Sequence, residues 1–498
     1  MLHIRTTKTG SGATAVQAVR YDHRKKVIVK HFGSAHTEQE LQLLRQTATA
    51  WIESITRQVP LFLVEPLSHI LPLDRWEYRG FRYGLLYEVL SHLIVHLHFD
   101  IPQNKLLTDL VIARIVEPGS KLHSLGFLEE FMGVKHHRKQ FYRQLARLVR
   151  VKEEVETSAL EVAQRELHFT FAFVLYDVTT LYFESFTADE LRKPGFSKDN
   201  KSQQPQIILG LLVSTDGFPI AYHIFTGNKF EGHTLIPVIL DFKRKHHIEQ
   251  FTVVADAAMM SLDNINALRG AGLHYIVAAR TAKLPLDILA DVHARLGNND
   301  GATVRIADTD HGHLICEFST KRFAKDEREM NDHIRKAETF LQDPSHIKRA
   351  KFLKPVSPHT YVLHTDLIEK TKLLLGLKGY YTDLAVDVMS DQAVIEQYHN
   401  LWHVEQAFRI AKSDLQMRPI YHFKEEMIKA HVLICFMALA VCKYMELKVF
   451  QSTKTILHAL KAVTDARMAN PFIDEETLVR SPVSDGTKQL LNKLGVRY

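Results

Sequence analysis

Cysteine is scarce in this 498-residue chain: Cys316, Cys435 and Cys442 are all it has, and no two of them form a CxxC pair. That excludes a disulfide framework and a four-cysteine zinc site. Long apolar runs are missing as well. The longest, residues 432–442 between His431 and Lys443, is about half of the roughly 20 residues that span a bilayer, so it reads as a buried helix. The first residues, MLHIRTTKTGSGATAVQAVRY, contain no apolar core of the kind a secretory signal carries, and a cytoplasmic protein is expected. Neither charge sign dominates, with 63 Lys+Arg against 57 Asp+Glu and a formal net charge of +6. No internal repeat or low-complexity tract is visible, which sets aside solenoid arrays and disordered chains. What remains is a 46% hydrophobic chain long enough for several packed domains.

The pattern of the chain divides it. Residues 14–32 alternate apolar and polar positions about Asp22 to Lys25, as a hairpin does, and Thr37 with Glu40 three residues on forms a capping box that opens an amphipathic helix. Residues 1–78 thus read as a small α+β unit. From 79 to 168 the spacing is helical, broken by Pro102, Pro118-Gly119 and Gly133. The period then changes. Residues 171–176 form a continuous apolar run ending in Asp177, and residues 206–214 and 218–226 meet across Asp216-Gly217 as a hairpin. A helix (234–247), a strand (251–255) ending in Asp256, a helix (262–271) and a strand (274–279) follow. Residues 169–280 therefore predict an α/β domain with a mixed sheet, resumed over 379–450 by a strand at 380–386 and one helix running from the cap Ser390 to just before Pro419. Between them, residues 281–378 hold a hairpin, a charged helix and a further strand, and are expected to stand apart as an inserted α+β lobe. Residues 451–498 read as a C-terminal helical tail.

Two carboxylates, Asp177 and Asp256, each close a predicted buried strand, the position at which sites form in α/β sheets; capping and turn formation use Asp in the same place. On the helix after Ser390, Tyr398, Leu401, Glu405, Arg409 and Lys412 follow one another at spacings of three, four, four and three and share one face. A solvated Glu405 to Arg409 ladder would look similar.

The segment YHNLWHVEQAFRIAK resembles the Y-x2-R-x3-E-x6-K signature of DDE transposases from bacterial insertion sequences, with Tyr398, Glu405 and Lys412 at its positions. DVTTLYFE at Asp177 and VVADAAMMS at Asp256 resemble the segments that carry the first and second Asp of that triad, and GFSKDNKSQQPQIILGLLVSTDGFPIAYHIFTGN resembles the stretch between them. The likeness runs from about residue 105 to about 450. Leu401 departs from the broad pattern and matches a subgroup reading Y-x2-L-W-x-V-E-x2-F-R-x2-K. The phosphate contact usually assigned to the missing Arg then falls to Arg409.

The resemblance implies a ribonuclease H-like fold in which the first and fourth strands are neighbours, placing Asp177 beside Asp256. It implies an enzyme that binds the terminal inverted repeats of a mobile element, cleaves the ends and joins them to target DNA. Asp177, Asp256 and Glu405 would hold two Mg2+ or Mn2+ ions, with Tyr398, Arg409 and Lys412 on backbone phosphates. The chemistry agrees: phosphoryl transfer needs charge neutralised on the attacking and leaving oxygens, and hard divalent ions take oxygen ligands. The expected partners are double-stranded DNA, as element ends and as target, and a second copy of the chain in the DNA complex; a membrane is not among them.

DNA must also be gripped. Residues 135–152 contain Lys135, Arg138, Lys139, Arg143, Arg147, Arg150 and Lys152 and no acid, with Phe141, Leu145 and Leu148 as the inward stripe. This makes 79–168 the expected DNA-binding domain. Lys198, Lys201, Arg280 and Lys283 stand in loops after strands and would flank the site. The cluster His311, His313 and Cys316 lacks a fourth ligand at useful spacing, and Trp402 is expected to pack rather than to stack on bases. Two rivals remain: a transposase-derived DNA-binding protein that no longer cuts, and a ribonuclease H-like nuclease or resolvase.

Overall fold

The structure is a computed structural model and describes residues 2–22, 25–56, 76–100, 104–145, 147–196, 203–259, 261–342, 350–357, 360–470 and 475–497. The chain opens with β1 (Leu2–Lys8), β2 (Thr14–Asp22) and β3 (Lys25–Ala35), a three-stranded antiparallel sheet covered by α1 (Glu38–Thr56). Val16, Ala18, Phe32, Leu44 and Ala48 give this unit its own core. The capping box forms: the Glu40 amide donates to the Thr37 hydroxyl at 3.3 Å, and the Thr37 amide donates to the Glu40 carboxylate at 3.1 Å.

Next come β4 (Glu77–Arg82), α2 (Gly84–His96), α3 (Lys105–Val116), α4 (Lys121–Phe127), α5 (Arg138–Leu145) and α6 (Lys152–Glu166). A π-helical turn over residues 128–132 extends α4 and is closed by Gly133 in the left-handed region, φ 70°. The central part is β5 (Phe173–Tyr182), β6 (Gln206–Val213), β7 (Pro219–Thr226), α7 (Leu235–Lys245), β8 (Thr252–Ala255), α8 (Leu262–Gly270) and β9 (His274–Ala279). It continues through α9 (Leu286–Leu296), β10 (Thr303–Thr309), β11 (Gly312–Phe318), α10 (Thr320–Gln342), β12 (Leu353–Ser357), β13 (Thr360–Leu363), α11 (Thr365–Lys372) and β14 (Leu377–Thr382). The last elements are α12 (Asp391–His399), α13 (Trp402–Arg409), α14 (Glu425–Val449), α15 (Thr453–Lys461), β15 (Asp465–Asn470), β16 (Glu475–Arg480) and α16 (Asp485–Lys493).

One eight-stranded mixed sheet, in the order β10-β11-β14-β9-β8-β5-β6-β7, organises the middle of the chain. β5, β6 and β7 pair antiparallel, while β8 and β9 run parallel to β5. The first and fourth strands of this series are therefore neighbours, which is the ribonuclease H-like arrangement. Every residue of β6 and β8 is buried, as their continuous apolar sequences require.

Three expectations need correction. The hairpin β10–β11 does not stand apart: β11 pairs with β14 and extends the sheet, because its apolar residues Leu314, Ile315 and Phe318 need the cover a sheet face provides. Only α10, β12, β13 and α11 form a lobe, with a small core built on Met330, Ala337, Phe352 and Leu375. The C-terminal tail is not wholly helical, since β15 and β16 form a hairpin whose first strand pairs with β4. Finally, the helix after Ser390 is two helices. The Leu401, His403 and Val404 amides bond three residues back, to Tyr398, Asn400 and Leu401, tightening the chain between α12 and α13.

The helical region shares a single hydrophobic core with the sheet. α14 makes this possible, for every residue from 430 to 445 is buried and the helix packs against α3, α6 and β7 at once. Glu166 at the end of α6 fastens this junction. Its carboxylate accepts from the Tyr444 hydroxyl of α14 at 2.6 Å, meets His96 of α2 at 2.8 Å and Arg165 at 2.9 Å. Burial alone would raise its pKa, but the bonds from Tyr444, His96 and Arg165 outweigh it and bring the group from 4.5 down to about 2. A depressed carboxylate stabilises the fold fully above its unfolded value and loses that contribution as pH falls through the folded value. Glu166→Gln should therefore lower stability at pH 7 by about 1–2 kcal/mol, allowing for partial exposure. The gap between variant and parent, read by urea unfolding, should shrink as pH falls from about 5 toward 2; a constant gap would show that charge is not the source.

Candidate active site

The site begins with a register. Tyr176 of β5 lies opposite Ala255 of β8 as the last pair of that ladder, so the two following residues, Asp177 and Asp256, emerge side by side. β5 does not end there, contrary to the sequence reading. Val178, Thr179, Thr180 and Leu181 carry it on to Tyr182 because β6 still pairs with it along its other edge. β8 does end, with Asp256 turning the chain as its carbonyl accepts from the Met259 amide at 2.9 Å. A crevice thus opens beside the middle of β5. Asp177 is half-buried and Asp256 exposed.

Tyr176 holds this edge of the strand. Its ring is fully buried and lies against Gly210 of β6, where a methyl group would come within 2.6 Å of the phenolic oxygen. Gly210 pairs with Val178, next to Asp177. Gly210→Ala should cost about 1–3 kcal/mol by forcing the ring or the strand to move. Chemical denaturation checks this, and an unchanged midpoint would mean that the ring has room to spare.

α12 packs on β8 and β9, and α13 packs on β5 and β6. The two helices deliver Tyr398 and Glu405 to the crevice from one side. Tyr398 is buried and its hydroxyl donates to Asp256 Oδ1 at 3.3 Å, while Glu405 and Arg409 are exposed and Lys412 is half-buried. The Tyr398 phenol is held well above its usual range, first by burial, then by the charge and hydrogen bond of Asp256, then by the charges of Glu405 and Asp177. All three acids thus act on one buried hydroxyl. Their donor set is all oxygen, which suits a hard divalent cation. Among the described residues no three His, Cys, Asp or Glu side chains are drawn together to the spacing of a metal site.

Sequence reading missed a second layer. Lys378 of β14 lies 4.6 Å from the centre of the Tyr398 ring and 5.3 Å from that of Tyr380. Burial and then Arg322 lower its pKa, against the raising charges of Glu317, Asp256 and Glu405. The Tyr380 and Tyr398 rings are 4.9 Å apart, and the Tyr380 hydroxyl donates to Glu317 at 3.1 Å. The period of two in a strand would have put Lys378 and Tyr380 on one face had the strand been started at Leu377 rather than 380.

The other predicted residues are scattered. Arg280 follows β9 and is exposed; Lys198 and Lys201 lie outside the described residues. In the basic segment Phe141, Leu145 and Leu148 are buried as expected, leaving Arg138, Lys139, Arg143, Arg147 and Arg150 exposed. Lys135 is exposed but pairs with Glu129 at 2.8 Å, and Lys152 is half-buried against Glu156 at 2.6 Å. Trp402 is not a packing residue: it is 51% exposed, because the break before α13 turns it outward. Among the described residues no helix is long and apolar enough to cross a membrane.

An α/β domain of ribonuclease H-like topology is what the sheet defines. Residues 170–441, more than half of the chain, match the family model of the transposase DDE domain, and the chain belongs to the DDE transposases, enzymes of metal-dependent DNA cleavage and strand transfer. No curated protein matches the chain in sequence. Among solved structures it is similar to the piggyBac transposase synaptic complex with hairpin DNA, at 10% identity and a TM-score of 0.40, covering 78% of this chain and 81% of that one. It is also similar to the Mos1 transposase paired-end complex with the left transposon end and to a pre-cleavage Mos1 transpososome, each at 14% identity, a TM-score of 0.16 and coverage of 46% and 66%.

Proposed function

We propose that the protein binds the terminal inverted repeats of a mobile DNA element, cleaves the element ends and joins them to target DNA by two-metal-ion phosphoryl transfer. What supports this reading is the β5–β8 register that sets Asp177 beside Asp256, with the buried Tyr398 hydroxyl donating to Asp256 Oδ1 at 3.3 Å. These three carboxylates are the ligands proposed for two Mg2+ or Mn2+ ions. When bound, such ions neutralise charge on the attacking and leaving oxygens. The chain's own residues orient the DNA. Tyr398 keeps its proton through the neutral range, so it donates a hydrogen bond to Asp256 and has no negative charge to repel a phosphate. Arg409 and Lys412, on the chain leaving Glu405, contact backbone phosphates beside the scissile bond, and Lys198, Lys201 and Arg280 flank it.

The duplex beyond the crevice runs over the helical region, residues 79–168, with Arg138, Lys139, Arg143, Arg147 and Arg150 as its phosphate contacts. Two element ends need two such centres, and the working complex is a homodimer on DNA. The protein acts in the bacterial cytoplasm.

Asp256→Asn, which removes a ligand charge without changing volume, should abolish cleavage of DNA carrying the cognate ends while leaving its binding nearly unaltered. Cleavage within about tenfold of the parent, equivalent to about 1.4 kcal/mol of barrier, would remove Asp256 from the metal set. Replacing Arg143, Arg147 and Arg150 together by Glu should weaken duplex binding. It should also flatten the salt dependence, by about 0.9 in the log-log slope for each lost contact. If the slope stays as it was, that helix faces solvent in the complex.

A further inference from the structure

A second basic site lies away from the acids. α3, α4 and α5, residues 416–424 and the first turns of α14 enclose a cavity of about 860 Å³. Its lining includes Arg114, Lys121, Arg418, His422, Lys424 and His431, and no Asp or Glu among the described residues. Two of these cations are deeply buried, Arg114 at 4% and Lys121 at 5% exposure. Neither has a carboxylate partner among the described residues. Among the described residues the Arg114 guanidinium donates to the carbonyls of Gly119 at 3.0 Å and Leu415 at 3.4 Å. The Lys121 ammonium lies 3.5 Å from Nδ1 of His431. His431 Nε2 is 2.9 Å from the Met417 carbonyl, which can only accept, so Nε2 carries the proton and Nδ1 accepts from Lys121.

Burying cations without a counter-ion costs several kcal/mol, and the fold tolerates two of them a few residues apart. The strain is visible on Lys121, whose ammonium is pushed down to about 7 by burial and then by Arg114. His422 is pushed down to about 4 by burial, then by Lys121 and Arg114, and so is neutral at physiological pH. At the rim Tyr142, Tyr421 and Phe423 expose their rings. A cavity with buried positive charge, polar donors and aromatic walls matches an anion carried on a flat apolar group.

We propose that this cavity binds the phosphate of a nucleotide unit, with Arg114 and Lys121 as its counter-ions and the aromatic rim against the attached nucleoside. The site stands on the cavity alone; that the phosphate belongs to a DNA strand rather than to a free nucleotide rests on the transposase reading. The full chain is tested at pH 6.5 without divalent metal, by following its unfolding temperature with thymidine monophosphate, with a five-nucleotide single strand, and with sodium chloride at matched ionic strength. Both nucleotide ligands should raise the unfolding temperature of the parent saturably above the chloride control. Tighter binding of the oligonucleotide assigns the site to DNA, and equal or weaker binding assigns it to a free nucleotide.

Lys121→Met should lose the response and unfold no lower than the parent in chloride, since a buried unpaired charge has gone. Leu122→Trp, at an exposed rim position, keeps the fold and should weaken binding about tenfold or more by narrowing the entrance. The same response in the parent, Lys121→Met and Leu122→Trp, or none in the parent, overturns the proposal. Asp256→Asn should retain the response, so failure of this site and failure of the cleavage reading are told apart.

Discussion

The parallel pairing of β5 with β8 is the constraint on which the rest of the site depends. Side chains alternate along a strand with a period of two, so a slip of one residue in either strand would carry its Asp to the opposite face. Both strands are buried on both faces, so apolar pattern alone does not set the register and the packing of particular side chains must. The close fit of the Tyr176 ring over Gly210 fastens β5 on its other side. A four-residue β8 beside a ten-residue β5 then leaves the crevice as a consequence of unequal length.

Charge is managed in layers around that crevice. Asp256 and Glu405 are exposed and face water, which lowers the cost of keeping acids near one another. Behind them Tyr398, Tyr380 and Lys378 form a stack in which the ammonium lies against two aromatic faces. Such a stack gives the acids a nearby cation without spending an ion pair on any one of them, and it ties α12 to β14 across the sheet. The basic cavity near α4 is the reverse case, with positive charge kept inside and no acid among the described residues to meet it.

The helical region and the sheet work as one body because α14 is buried on all sides and serves both. Beyond apolar packing, polar links cross the junction: Glu156 of α6 accepts from the Tyr222 amide of β7 at 2.9 Å, and Glu166 joins α2, α6 and α14. The exposed basic residues of α5 are thereby held at a set position relative to Asp177, Asp256 and Glu405. Phosphoryl transfer needs that rigidity, since the scissile bond must be placed to within a fraction of an ångström.

Much of this was legible in the residues. Apolar runs located β6, β7, β8 and β9 of the central sheet closely, His274–Ala279 at both ends, because a buried strand has no alternative but continuous hydrophobicity. Local chemistry placed the caps at Thr37 and Ser390, since a cap is decided by residues three apart. The acids Asp177, Asp256 and Glu405 stood out by motif. What the sequence could not determine was anything set by a partner distant along the chain. The continuation of β5 past Asp177 depends on β6, the docking of β11 depends on β14, and the hairpin β15–β16 depends on β4 nearly 400 residues earlier. The break between α12 and α13 and the burial of Arg114 and Lys121 were decided likewise by what packs against them. Periodicity reports which face of an element is apolar, whereas only the tertiary structure decides which neighbour covers it and which charges that neighbour leaves inside.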